Sequence, residues 1–464
     1  MGVVRFVTFG CKANQYDTQL LREALARAGW REGPEGQGEA ELVVVNTCTV
    51  TAEAGRKARQ LVRRVARERP GARICVTGCL AQGEPDGLRS LAGVEWVLGG
   101  EPARRPDRLL RELGCDVEPG GPGRRAGIEG FAGHARAFLK IQDGCDMACA
   151  FCVIPSVRGR SRSRPAGEVA AELRRLVQAG HAEVVLCGIH IGHWGRELAL
   201  GLHDLVRELV ALEPRGPDGA PLAWRLRLSS IEATEVSHEL LELMAAWPRR
   251  IAPHLHLPLQ SGDDEVLRRM NRWYGVAQYL AACERIRAAL DRPCFSADVL
   301  VGFPGEGPRH FERTIETARA AGLARVHAFP FSARPGTAAA GMGPPPPPEV
   351  VRERRARLSA LARELGAAFR RGLDGADDAL VAEGATAPER AGARSGLSGL
   401  SGLSGRYQRV LLPPPASPSS APASLPARVP APGLIHVRLE ARERPDGDFD
   451  LIGHPSPPAP RATP

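Results

Sequence analysis

The chain has 464 residues, 43% of them hydrophobic and 25% charged, which is room for two to four domains with apolar cores of their own. The opening apolar run, Val3 to Phe9, is too short to cross a membrane and lacks the composition of a signal peptide, so neither a membrane protein nor a secreted one is expected. A net charge of +9 suits a polyanionic partner, but Lys occurs only at positions 12, 57 and 140 and the excess is arginine, a bias that composition alone can produce.

The first segment alternates strand and helix. Val3 to Val7 reads as a strand, Asp17 to Ala28 as an amphipathic helix, Glu41 to Val45 as a strand, Ala52 to Glu68 as a helix and Arg73 to Val76 as a strand. This predicts a small open α/β domain over residues 1–115. Each strand runs into a cysteine: Cys11 after Phe9-Gly10, Cys48 after Asn46-Thr47, Cys79 after Thr77-Gly78. In an open α/β sheet the carboxyl ends of the strands form the ligand crevice, and the helices that follow offer amide N–H groups and positive dipole ends that favour thiolates. Three thiolates can therefore meet there, although buried small residues are the competing reading. Cys75 fits the latter, since it lies inside its strand; Cys115, Cys187, Cys283 and Cys294 have no ligand-like spacing.

Residues 116–130, rich in Gly and Pro, read as a linker. A second series then begins at Ala137 to Ile141 and continues with strands at Glu183 to Gly188, Arg225 to Ser229, His254 to Leu259, Ser296 to Val301 and Arg325 to Phe331. Helices are expected between them, including Ala166 to Ala179, Val236 to Ala246 and His310 to Ala321. Six βα repeats over residues 131–371 predict a partial (βα)6 barrel whose active face is the carboxyl rim.

After the first of these strands comes the most informative stretch, with Cys145, Cys149 and Cys152 inside eight residues. A structural zinc ion takes four protein ligands, and no further Cys or His lies close by. A 4Fe-4S cluster on three thiolates keeps one iron open for a small molecule, and this C-x3-C-x2-C spacing is that of clusters that bind and cleave S-adenosylmethionine (SAM). Zinc and buried thiols are the alternatives. Eleven cysteines, an odd number and clustered, favour metal ligation in a reducing cytoplasm over disulfides. On the predicted rim, Gly188 and His190, Gln260 and Ser261, and Gly302 and Glu306 are candidates to hold SAM, each also explicable as a turn. Directly after the cysteine loop, Arg158, Arg160, Arg162 and Arg164 alternate. An extended segment ahead of Pro165 would put all four on one side to meet phosphates, against the alternative of a solvated loop.

Val351 to Arg371 reads as a long basic helix. Strand-like runs at Asp378 to Glu383, Arg406 to Leu412 and Leu434 to Glu440 predict a small β-barrel of OB-like type over residues 372–454. Ser-Gly-Leu repeats at 395–403 and a Pro/Ser/Ala-rich stretch at 413–432 interrupt it as linker-like inserts, and residues 455–464 read as a tail.

Taken together, the segments resemble the radical SAM methylthiotransferases, most of all the branch that acts on N6-threonylcarbamoyladenosine. The resemblance rests on Cys11-Lys12-Ala13-Asn14-Gln15-Tyr16-Asp17, Asn46-Thr47-Cys48-Thr49-Val50-Thr51, the cysteine loop, Leu257-Pro258-Leu259-Gln260-Ser261-Gly262, Val301-Gly302-Phe303-Pro304-Gly305-Glu306 and Phe329 to Thr337. It implies two 4Fe-4S clusters, one on Cys145, Cys149 and Cys152 that cleaves SAM to a 5′-deoxyadenosyl radical, and an auxiliary one on Cys11, Cys48 and Cys79 that presents the sulfur. It further implies tRNA as substrate beside the anticodon, an electron donor of unknown identity, a monomer, and an RNA-binding TRAM domain as the C-terminal barrel. Lys12 is the candidate partner for the anionic threonyl arm. The competing readings are a methylthiotransferase for isopentenyladenosine tRNA or for a ribosomal protein, and a non-catalytic iron-sulfur protein that binds RNA.

Overall fold

The computed structural model describes residues 2–33, 40–99, 106–115, 127–131, 134–385, 400–413 and 433–457. Most of the expected linker and tail, and nearly all of the Pro/Ser/Ala-rich stretch, lie outside these residues. Among the described residues no helix is long and apolar enough to cross a membrane.

The N-terminal sheet is parallel throughout, in the order β2-β1-β3-β4-β5, with β1 at Val3–Thr8, β2 at Arg31–Glu32, β3 at Leu42–Thr47, β4 at Arg73–Gly78 and β5 at Val94–Val97. It is covered on both faces, and the strand sequences alternate accordingly. Val43, Val45, Ile74 and Val76 pack against Ala58, Val62 and Val65 of the helix Ala52–Glu68. Leu42, Val44 and Cys75 pack against Leu21 and Leu25 of the helix Lys12–Arg27. That helix starts five residues before its sequence signal because Cys11, at the end of β1, takes extended N-cap geometry.

The central region is a six-stranded parallel arc with helices outside it. One half is β10-β9-β6 (Arg225–Leu228, Glu183–Cys187, Arg136–Lys140) and the other is β11-β12-β13 (His254–His256, Cys294–Val301, Arg325–Pro330), while the short β7 (Gln142–Asp143) and β8 (Arg162–Ser163) pair antiparallel between β6 and β9 in the chain. Isolated parallel bridges, Leu226 to Ile251 and Ser230 to His256, join the halves. One continuous apolar core runs under the outer helices, including Leu173 and Leu176 of Ala166–Gln178 and Phe311 of Pro308–Ala320.

The C-terminal strands β14 (Asp377–Ala385), β15 (Leu400–Ser404), β16 (Arg409–Leu411), β17 (Leu434–Glu443) and β18 (Phe449–Pro455) close into a barrel in the order β14-β15-β16-β18-β17. Two expectations are corrected here. The end of the Ser-Gly-Leu repeat is no insert but the strand β15, because its small residues admit a close neighbour: a Cβ on Gly402 would stand 2.8 Å from the Val381 carbonyl. Residue 455, assigned to the tail, pairs with Val437 at the end of β18.

This barrel is docked on the amino-terminal ends of the central strands. Glu183, fully buried, accepts from Arg225 Nε (2.6 Å) and Arg227 Nε (2.8 Å), and the same guanidiniums donate to the carbonyls of Leu403, Ser404 and Gly405. Tyr407, at φ +59, stacks on His254 with ring centres 4.6 Å apart.

Candidate active site

Cys11, Cys48 and Cys79 follow the carboxyl ends of β1, β3 and β4, three neighbours in the sheet, at the point where the strand order reverses. Two glycines let the strand ends approach. A side chain on Gly10 (φ +101) would strike Cys48 Cβ at 2.8 Å, and one on Gly78 (φ +91) would strike Asn46 Oδ1 at 2.3 Å. Asn14 Nδ2 donates to the carbonyls of Phe9 (2.8 Å) and Thr47 (3.0 Å), while Asn46 Nδ2 donates to the Asn14 carbonyl (2.9 Å). Cys48 and Cys79 are buried and Cys11 is exposed, so the triad opens on one side. Burial pushes the Cys48 thiol up to about 11 and also raises Cys79, which Arg158 partly opposes.

The second triad lies on the loop after β6. The Ala150 amide donates to the Met270 carbonyl (2.9 Å), Asn271 Nδ2 donates to the Ala148 carbonyl (2.7 Å), and Ala150 packs with Val266, Met270 and Phe303. Arg272 Nη1 donates to Cys149 Sγ (3.2 Å) and Nη2 pairs with Glu232 (2.6 Å). The guanidinium lies over Trp273, 4.2 Å from the ring centre. Cys152 is pushed up to about 12 by burial.

The two triads are joined by a buried ion network. Lys140 Nζ binds Asp17 and Asp143, the latter at 3.1 Å. Arg158 donates from Nη1 to Asp143 Oδ1 (2.9 Å), from Nη2 to Asp17 Oδ2 (3.1 Å) and Asn14 Oδ1, and from Nε to Cys79 Sγ (3.3 Å). Asp143 Oδ1 also accepts from the Gly144 amide (2.9 Å), next to Cys145. On the opposite side, Arg334 Nη2 donates to Thr49 Oγ1 (2.7 Å) and Glu84 Oε1 (2.9 Å), and Ser332 Oγ accepts from the Ala52 amide (2.9 Å), clamping the end of the arc to the N-terminal domain.

A single metal ion with bonds near 2.3 Å draws its thiolates to about 3.8 Å from one another. Among the described residues, one group of three potential metal-ligand atoms lies within 4.8 Å of one another, that of His190, His193 and Glu235, and it includes no cysteine. Three thiolates in either triad can each hold a different iron of a four-iron cluster and leave the fourth iron open.

A family model described as "Uncharacterized protein family UPF0004" matches residues 3–99, and one described as the radical SAM superfamily matches residues 139–318. The threonylcarbamoyladenosine tRNA methylthiotransferase MtaB of Chlamydia pneumoniae is 35% identical, over 79% of this chain and 83% of its own. The tRNA-2-methylthio-N(6)-dimethylallyladenosine synthase of Frankia alni is 38% identical, over 81% of this chain and 77% of its own. The chain belongs to the radical SAM methylthiotransferases. Among solved structures it is similar to the radical SAM methyltransferase TsrM of Kitasatospora setae, at 16% identity and a TM-score of 0.49, over 71% of this chain and 73% of that one.

A radical SAM methylthiotransferase carries a 4Fe-4S cluster and SAM in its radical SAM domain, and the Cys145 loop has the donors for such a cluster. Of the rim residues expected to hold SAM, His190 is the one beside that loop. Its Nδ1 is 3.7 Å from Cys145 Sγ and its Nε2 is 2.7 Å from Glu235 Oε2. Gly188 leaves room for Gln142, whose Oε1 accepts from the Ile189 and His190 amides and whose Nε2 reaches the Gly144 carbonyl. Gln260 takes φ +61 where its carbonyl accepts from the Leu300 amide.

Other expected roles are corrected. The Ser261 hydroxyl is buried against Thr314 Oγ1 (3.5 Å) and the Asp263 amide (3.3 Å). Glu306 is buried and paired with Arg354 of the helix Pro348–Arg371, and Gly302 (φ +80) makes room for Val351 of the same helix. The Ser261 hydroxyl and the Glu306 carboxylate are thus engaged by partners within the protein. The arginine run is not one phosphate-facing row either. Arg158 ends the helix Ile154–Arg158, Gly159 turns at φ +74, and the carboxylates of Asp17 and Asp143 draw Arg158 inward. Arg164 is held by Glu172 (2.7 Å) and Tyr16 Oη (3.0 Å). Arg160, 91% exposed at its side chain, and the exposed Arg162 remain on the surface.

Sequence reasoning passed over Gln142, Asp143, Glu232, Asn271 and Arg272. The signal open to it was the buried-charge pattern: an acid beside the cysteine loop, and the dipeptide Asn271-Arg272, where Asn at φ +55 turns the chain toward the loop.

Proposed function

We propose that this methylthiotransferase acts on tRNA, converting N6-threonylcarbamoyladenosine beside the anticodon to its 2-methylthio derivative, with a second 4Fe-4S cluster on Cys11, Cys48 and Cys79. When bound, the two clusters and SAM supply a carbon radical that abstracts hydrogen and the methylated sulfur that replaces it. The chain's own residues set the geometry. Asn14 and Asn46 hold the three strand ends together, Asp143 and Gln142 anchor the Cys145 loop, and the Arg334 clamp fixes the mouth between the domains.

Sequence identity does not separate the branches, since the named MtaB relatives stand at 33–36% and the dimethylallyladenosine synthases at 36–38%. The observation that carries the finer reading is Lys12. It opens the helix immediately after the exposed Cys11, is half-buried, and makes no ion pair or hydrogen bond among the described residues. Its positive charge acts across the arc interior. Burial holds His254 and His327 neutral, and Lys12 is among the cations that reinforce this. An unpaired ammonium on the residue after Cys11, with its charge felt inside the arc, suits a carboxylate-bearing base modification and disfavours an apolar isopentenyl group.

Reconstituted enzyme is expected to methylthiolate tRNA bearing threonylcarbamoyladenosine and to ignore tRNA with unmodified or isopentenylated adenosine at that position. Lys12→Gln should raise KM for the modified tRNA roughly ten-fold, the scale of one hydrogen bond to a charged group. Equal turnover of the isopentenylated tRNA overturns the substrate assignment.

A further inference from the structure

Arg158 and the Cys145 loop belong to one short segment. The Cys145 amide donates to the Gly159 carbonyl at 3.0 Å, and Arg158 ends the helix that begins two residues after Cys152. Its guanidinium nevertheless points across the domain boundary and ends on Cys79, a cysteine of the other triad. The domains do not need Arg158 merely to be joined, since Lys140 already links Asp17 to Asp143. What Arg158 adds is an N–H donor to sulfur, from a cation that is buried and locked by two carboxylates. The same device recurs at the other triad, where Arg272, locked by Glu232, donates to Cys149 Sγ. A guanidinium on a buried thiolate favours negative charge there, and in these surroundings its field is screened little by water.

We propose that Arg158 is a positioning residue for the auxiliary cluster. It holds Cys79 in register with the loop that carries the SAM-binding cysteines and stabilises the more negative, reduced state of the cluster that Cys79 ligates. The proposal rests on Cys11, Cys48 and Cys79 being cluster ligands, as inferred above.

The test isolates that cluster in a chain with Cys145, Cys149 and Cys152 all replaced by Ala. In this background Arg158→Lys keeps a charge between Asp17 and Asp143 but lacks the Nε donor that meets Cys79. Arg158→Gln combined with Asp143→Asn removes a cation and an anion together, so no net charge is stranded in the core. Anaerobic reconstitution reads iron per chain, and redox titration followed by electron paramagnetic resonance reads the midpoint potential. The parent and Arg158→Lys should each hold about four irons. The midpoint should fall in Arg158→Lys and fall further in the double variant. With Cys145, Cys149 and Cys152 restored, both should form less methylthio product per 5′-deoxyadenosine released, by about ten-fold for the double variant. An unchanged midpoint in a folded, iron-loaded Arg158→Lys chain overturns the proposal, and so does an unchanged product ratio. A parent that binds no iron overturns the auxiliary-cluster reading instead.

Discussion

The two cysteine triads solve the same problem in different ways. Cys145, Cys149 and Cys152 come from one loop, so their spacing is written in eight consecutive residues and the tertiary structure has only to support the loop through Met270, Asn271 and Arg272. Cys11, Cys48 and Cys79 come from three strands 31 to 37 residues apart and meet only because those strands are neighbours in a parallel sheet. The local triad needs one loop to fold. The distributed triad needs a whole sheet, two tolerant glycines and two cross-linking asparagines. In both, the guanidinium of an arginine with a buried side chain donates to one sulfur and partly opposes the effect of burial on that thiol.

The largest expected effects separate the triads by function. Cys149→Ala should abolish both SAM cleavage and product, whereas Cys48→Ala should retain reductive SAM cleavage and lose product, with 5′-deoxyadenosine and methylthio nucleoside measured on the same reaction. Normal product from Cys48→Ala would break the division of roles.

One step smaller, Arg272→Gln removes the donor to Cys149 and strands Glu232, which is buried. SAM cleavage should fall ten- to a hundred-fold, the usual scale for a partner of a metal ligand. The iron on Cys11, Cys48 and Cys79 should remain. If both clusters were lost together, the triads would not be independent.

A third buried charge cluster, at the base of the arc, has no cysteine and so separates stability from chemistry. Burial opposes the charge of Glu183, but Arg227, Arg225 and Arg136 outweigh it and hold the carboxyl at about 2 against an ordinary 4.5. A depressed carboxylate stabilises the fold above its unfolded pKa, so this contribution, of order 3 kcal/mol, is complete above about pH 4.5 and disappears as pH falls toward 2. Glu183→Gln should lower denaturant resistance at pH 7 and flatten its loss over that acid range, followed by urea unfolding at several pH values. An unaltered acid limb would move the acid sensitivity to other carboxylates.

The smallest effect is on the surface. With Arg158 buried and Arg164 half-buried against Glu172 and Tyr16, two arginines of the run remain to meet phosphates, and Arg160→Gln with Arg162→Gln should reduce the salt slope of tRNA binding by up to roughly two units without altering SAM cleavage in the absence of RNA. An unchanged slope leaves Arg160 and Arg162 as a solvated loop.

Much of the architecture is legible in the chain. Strands that end on cysteines, a helix at Ala52–Glu68 and six βα repeats follow from period-2 and period-3.6 patterning, because each strand and helix had to match a buried face. The misreadings share a cause. Arg158 and Glu306 look like surface or rim groups by residue type, yet each is neutralised by a partner far away in sequence, Asp17 at 141 residues and Arg354 at 48. The repeat that ends in β15 has the composition of a linker, but a barrel strand that passes close to its neighbour favours small side chains.

By itself the sequence determined the kind of chemistry, since cysteine spacing and strand-end placement are local properties that survive without coordinates. The tertiary structure alone decided which charges are buried and which sulfur each of them faces. Coulomb pairing inside a protein depends on distance through space and on the exclusion of water, and neither is encoded in the order of residues along the chain.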